Sequence, residues 1–362
     1  MLFGAFHSGV NVGGWLSQYD CLPEPPQTEE ALQTHFRTYI TREDLLRIAS
    51  WGFDHIRLPV SGFLLYDPRE DSLNPQILDY IDQCVFWCRE AGLNMILDLH
   101  SAEGNVPGAM DVPMPLLVED SLQQHFYSIW EKLAAPFQNE HSICLMFDLL
   151  NEVSDASGYL WNRLYKETVH RIRAIDPFRW ILVGSNHMNS VAALRELDLL
   201  DDPLTFYNFH YYDPQVFTHQ NAHFSDEMKE FGQTVTYPGN IAAFGEYLER
   251  HPEYQQKHAL TMHEKRNDLA LMERLLKDAE SFVTYSGRGL YCGEFGVIDT
   301  APPEEAVKWI RDLVHILDRN RIGHALWNYK AMDFGLLDAQ GNPGSDLIIQ
   351  EMQRLHAESD PA

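Results

Sequence analysis

The chain has 362 residues, 45% hydrophobic and 12% aromatic, enough apolar material to bury a barrel-sized core and too much for a disordered chain. Its 27 Lys and Arg stand against 53 Asp and Glu, a formal charge of -26 that repels phosphate backbones and anionic lipid. Nucleic acid and membrane surfaces are thus poor partners, with neither expected, and polyanionic substrates are disfavoured.

Eight short apolar runs recur along the chain, separated by segments of helical period, the pattern of βα units around a parallel sheet. They lie at 5–11 (AFHSGVN), 54–58 (DHIRL), 94–99 (NMILDL), 143–149 (ICLMFDL), 180–184 (WILVG), 204–209 (LTFYNF), 289–293 (GLYCG) and 323–327 (GHALW). Between the first runs the spacing predicts a helix over 41–50, opened by Thr41 with Asp44 three residues on, and another over 76–91, after Pro75 and before Gly92. The longest connection, about 210 to 288, holds an irregular stretch and then a helical pattern near 262–281. Loops of that length usually wall a site. With no Ser/Gly/Pro-rich linker and no repeat, the expectation is an α/β protein: one (β/α)8 TIM barrel spanning 1–362, with a long loop and helix insertion after strand 6.

Five cysteines (Cys21, Cys84, Cys88, Cys144, Cys292) form no CxxC pair. No run reaches the roughly 18 apolar residues of a membrane span, and the N-terminus lacks a basic leader. Free thiols, a cytoplasmic monomer, and secretion only if a leader was removed are the corresponding expectations.

Active sites of such barrels sit at the C-terminal ends of the strands. Nearly every apolar run ends there in a polar or aromatic residue: Arg57, His100, Asn151 and Glu152, His210 and Tyr212, Glu294, and Trp327. Barrel closure brings the carboxylates after strands 4 and 7 to one pocket. Two carboxylates about 5 Å apart divide glycosidic cleavage, one protonating the leaving oxygen while the other attacks the anomeric carbon. Arg57 suits the nucleophile as a bidentate partner that keeps it ionised. Asp98 and Asp148 read as structural, and Glu103 as a lining residue of a subsite. His219 and His223 lack an HExxH, and neither GxGxxG nor a phosphate loop occurs, so neither metal nor cofactor is expected.

The segments GVNVGGWL, GFDHIRLPV, DLH, LLNE, HYY, GEFG and LWNYK, in that order, closely resemble glycoside hydrolase family 5, the cellulase-type retaining β-glycosidases. The resemblance spans nearly the whole chain. It implies Glu152 as general acid/base, Glu294 as nucleophile, and Arg57, His100, Asn151, His210, Tyr212 and Trp327 around the sugar at the point of cleavage. Members often carry Trp where Phe224 stands. Trp15, Tyr19, Phe63, Trp161 and Tyr329 are candidate platforms for further sugar units.

The expected activity is endo-β-1,4-glucanase-like hydrolysis of a β-linked oligo- or polysaccharide by double displacement. An exo-acting β-glucosidase, or a mannosidase or mannanase, is the alternative within the class, because these substrates differ by single hydroxyl groups. A catalytically silent carbohydrate-binding barrel is the alternative from another class, and the presence of both carboxylates argues against it.

Overall fold

The computed structural model describes residues 3–105, 113–141, 144–344 and 346–359. Eight parallel strands close into a barrel: β1 (Ser8–Asn11), β2 (His55–Ser61), β3 (Asn94–Ser101), β4 (Leu145–Asp148), β5 (Ile181–Gly184), β6 (Thr205–Tyr211), β7 (Leu290–Phe295) and β8 (Gly323–Leu326). Each falls on or overlaps one of the eight apolar runs; Ile143, in the fourth, lies outside the described residues. Closure comes from β1, which pairs with β2 on one side and β8 on the other.

Strand alternation divides the core into two layers. On β3, Met95, Leu97 and Leu99 join the large apolar layer between strands and helices, while Ile96 joins a smaller cluster with Phe6, Met146, Leu182, Phe206, Tyr291 and Ala325. That cluster fills one end of the barrel interior. Two and four residues beyond Ile96 on the same face come Asp98 and His100, and two beyond Met146 comes Asp148. The interior thus turns from apolar to charged towards the C-terminal ends of the strands.

The first predicted helices form at Arg42–Ser50 and Pro75–Ala91. Asp44 Oδ2 accepts from both the backbone N and Oγ1 of Thr41, each at 2.8 Å, and Gly92 closes the second helix in a left-handed conformation (φ 74°). The helical pattern near 262–281 resolves differently. Arg266–Asn267 pairs antiparallel with Gly239–Asn240, and two helices follow, Leu269–Leu275 and Lys277–Ser286. Asp268 sets the later start, since its side chain accepts from Leu271 N at 3.2 Å, a capping bond invisible to hydrophobic periodicity. Among the described residues no helix is long and apolar enough to cross a membrane, and all five cysteines are free.

Candidate active site

Arg57 anchors the site. Fully buried, it donates from Nε to Asp148 (3.0 Å), from Nη1 to Asn11 (3.0 Å) and Glu294 (2.9 Å), and from Nη2 to Asn151 (3.0 Å), with Asp98 Oδ1 at 3.1 Å. Burial works against its charge, but Asp98, Asp148 and Glu294 outweigh that and hold it protonated. The same burial pushes the carboxyl of Asp148 up; Arg57 opposes the rise, and the charges of Asp98 and Glu294 add to it.

Glu294 owes its place to an irregularity. The register between β6 and β7 shifts between Cys292 and Glu294, so that Glu294 lies opposite His210. Gly293 sits at this bulge, its N–H donating to Asn208 Oδ1 (2.8 Å) and its carbonyl accepting from Asn11 Nδ2 (2.9 Å). A Cβ at position 293 would come within 2.7 Å of the Asn208 amide, so the glycine of GEFG is a packing requirement. Glu294 Oε1 then accepts from Arg57, and Oε2 accepts from the Tyr212 hydroxyl at 3.1 Å.

Glu152 lies beyond the end of β4 with φ 49°, a left-handed conformation uncommon for a residue other than glycine. His210 Nδ1 lies 3.0 Å from its Oε1 and 3.6 Å from Glu294 Oε2. Each of Glu152, His210 and Glu294 offers a side-chain O or N atom, all within 4.8 Å of one another. Three such groups could share a cation, but Nδ1 is engaged by Glu152 and a guanidinium already neutralises Glu294. Burial raises the carboxyl of Glu152 above the usual glutamate range, and holds His210 neutral by lowering it to about 4. For Glu152 loss of water is the largest cause; the charges of His100 and Arg57 oppose the rise and that of Asp98 adds to it.

His100 Nδ1 bonds Asp98 Oδ2 at 2.7 Å, and its ring stacks on Trp327 with centroids 5.8 Å apart and planes 10° from parallel. Burial lowers the histidine, but the bond and charge of Asp98 raise it overall. Gly13 makes room for the indole: a Cβ there would lie 2.7 Å from it.

Every residue expected at the centre, Arg57, His100, Asn151, Glu152, His210, Tyr212, Glu294 and Trp327, is thus drawn into one contact network. Asp98 and Asp148, read from the sequence as structural, are wholly buried and paired with Arg57. The platform expectation fails for three residues. Trp15, Trp161 and Tyr329 are wholly buried, and their polar atoms donate to Phe36 O, Gly184 O and Asp44 Oδ1. Single aromatic residues in sequence do not reveal which face of an element they occupy, and here that face is the core. Tyr19 is partly buried, whereas Phe63 and Phe224 are 67% and 53% exposed. Phe63, Tyr66, Glu103 and His125 line a recess of about 170 Å³. Asn11, Asn208 and Asn189 escaped sequence reasoning. Asn11 lies inside GVNVGGWL, a usable signal, but nothing around Asn189 points to the site.

Comparison with known proteins gives the same picture. Residues 24–333 match the cellulase family, described as glycosyl hydrolase family 5. The chain is similar to endoglucanase C of Acetivibrio thermocellus, 37% identical over 352 residues and covering 97% of this chain and 98% of that one. It is also similar to cellodextrinase A of Ruminococcus flavefaciens, 30% identical over 315 residues, 87% of this chain and 82% of that one. Among solved structures, a hyperthermophilic endo-β-1,4-glucanase in complex with substrate superposes with a TM-score of 0.74 at 21% identity, over 97% of each chain, which supports the barrel fold. With its barrel, its strand-end constellation and these relatives together, the chain belongs to glycosyl hydrolase family 5, the cellulase family, and is a glycosyl hydrolase.

Proposed function

We infer that the protein hydrolyses internal β-1,4 bonds of β-glucan by double displacement, with Glu294 as nucleophile and Glu152 as general acid/base. The observation carrying this is the approach of the two carboxylates. Groups of both lie within a set whose atoms are all less than 4.8 Å apart, which suits a direct attack and leaves too little room for the interposed water of an inverting enzyme. The endoglucanase relative, matched over nearly its full length, supports the glucan assignment.

In the first step a Glu294 oxygen, its carboxylate paired with the Arg57 guanidinium and oriented by Tyr212, bonds to the anomeric carbon as the glycosidic bond breaks. Glu152 gives its proton to the leaving oxygen. In the second step Glu152 takes a proton from water, whose oxygen displaces Glu294. Each roles' environment fits: the neutral acid is favoured by lost hydration, the nucleophile by a fixed cation.

The cellodextrinase relative favours a second reading on substrate length, action on short soluble cello-oligosaccharides. A time course of products from mixed β-glucan and from oligosaccharides of graded length separates the two. Proton NMR of the first product tests the mechanism: the β-anomer is expected, and an initial α-anomer overturns it. In Glu152→Ala, an activated aryl glycoside with azide should give the β-glycosyl azide, since azide needs no base; an α-azide or no rescue removes the roles given to the two glutamates.

A further inference from the structure

Glu152 is held from an unexpected side. The segment after β5, Ser185 to Ser190, contains three consecutive residues with positive φ: His187 (53°), Met188 (58°) and Asn189 (57°). Such a run is costly without glycine and persists only where its surroundings impose it. Here they do. Asn186 exchanges two hydrogen bonds with the backbone of Asp155, its Oδ1 accepting from Asp155 N and its Nδ2 donating to Asp155 O, both at 2.7 Å. Met188 N donates to Val153 O at 2.9 Å. The segment therefore grips the chain immediately after Glu152.

The last of the three, Asn189, is fully buried, and its Nδ2 lies 3.0 Å from Nε2 of His210, the ring whose Nδ1 meets Glu152. Its Oδ1 has no partner and faces Gly184, where a Cβ would lie 2.5 Å away. Reversing the amide would leave every heavy atom in place, so proton chemistry must decide its orientation. Two carboxylates face Nδ1, Glu152 at 3.0 Å and Glu294 at 3.6 Å. A protonated Glu152 could meet either tautomer, but the Glu294 carboxylate paired with Arg57 would face the lone pair of a bare Nδ1, so a hydrogen on Nδ1 suits both oxygens, Nε2 then accepts, and the amide presents its NH2.

We propose that Asn189 is a positioning residue for glycoside cleavage, fixing His210 as the Nδ1–H tautomer so that the acid proton of Glu152 is confined to the carboxyl oxygen not bound to the histidine. With Nδ1–H donating to Oε1, the acid proton has only Oε2 to occupy and is free for the leaving oxygen. With the other tautomer, the proton would be held between Oε1 and Nδ1. Around the ring stand Arg57 from β2, Asp98 and His100 from β3, Glu152 from the β4 end and Glu294 from β7; burial outweighs their acids and keeps the imidazole neutral. The proposal rests on Glu152 being the acid/base.

The test is the 15N NMR signature of the His210 ring in the intact enzyme, assigned by its loss in His210→Gln. Protonation at Nδ1 alone is expected near neutral pH, and protonation at Nε2 overturns the proposal. Asn189→Asp keeps the shape and tolerates positive φ, but offers Nε2 only acceptors. It should move a proton to Nε2 and lower kcat/KM at least about tenfold on an unactivated oligosaccharide, within the range general acids contribute. On a dinitrophenyl glycoside, whose leaving group needs little protonation, kcat/KM should stay within about twofold of wild type. Asn189→Gly, free of the backbone cost, should show the same selectivity at smaller size. Equal losses on both substrates, as from a structural defect, overturn the role; should Asn189→Asp fail to fold, the wild-type ring signature and Asn189→Gly decide. Azide rescue of Glu152→Ala is the separate check: intact rescue with an Nε2–H ring sinks this proposal alone, whereas failed rescue sinks the reading beneath it.

Discussion

At the scale of single residues, the two glutamates proposed as catalysts differ in their surroundings: Glu152 loses hydration, and Glu294 meets the guanidinium of Arg57. Burial raises the carboxyl of Glu152, so as pH climbs it keeps its proton beyond the point where an exposed glutamate would lose it. The alkaline limb of kcat/KM should therefore lie above the ordinary glutamate range. Glu152→Gln should lower kcat/KM on an oligosaccharide by about 10² to 10⁴ and abolish the alkaline limb on an activated aryl glycoside. Rate profiles across pH check this, and an unchanged alkaline limb in Glu152→Gln would remove the assignment. These carboxylates were legible in sequence because each follows a short apolar run. The asparagines that orient their neighbours were not, since an amide at a strand end looks like any loop residue.

Among elements, the helix Arg42–Ser50 shows how a local signal becomes a tertiary anchor. Its first turn is closed by Asp44, whose Oδ2 serves Thr41, and whose Oδ1 accepts from the hydroxyl of buried Tyr329 at 2.7 Å. The capping pattern is written in TRED, but its link to the chain after β8 is not. Asp44→Ala should cost about 1 to 3 kcal/mol, because it removes a cap and leaves a buried hydroxyl unpaired. Urea unfolding measures the loss, with kcat expected to be unchanged, since Asp44 makes no bond to the catalytic carboxylates. A loss below about 0.3 kcal/mol would show that water replaces the carboxylate on Tyr329.

Over the whole molecule, the barrel is tied across its interior by Arg57, which reaches groups on β1, β3, β4 and β7 and the loop after β4. Arg57→Leu should destabilise the fold by about 3 to 5 kcal/mol, because it strands buried carboxylates without their cation. The penalty should shrink as pH falls and those carboxyls take up protons, a trend visible in thermal unfolding at pH 5 against pH 8. Arg57→Lys should recover little, since a compact ammonium cannot span acceptors on opposite sides. Equal destabilisation by Arg57→Leu at both pH values would mean that lost packing, and not stranded charge, dominates.

The sequence by itself determined the strands, their order and the two carboxylates at strand ends, because short continuous apolar runs and strand-end polar residues are local patterns that burial enforces wherever the chain goes. Tertiary structure alone decided the rest. It sent Trp15, Trp161 and Tyr329 into the core, split the pattern near 262–281 into two helices behind Asp268, and brought Asn189 to His210. Each of these depends on what a distant strand places opposite a side chain. Barrel closure sets that partner through register, and a shift such as the one at Gly293 changes it without altering any local periodicity.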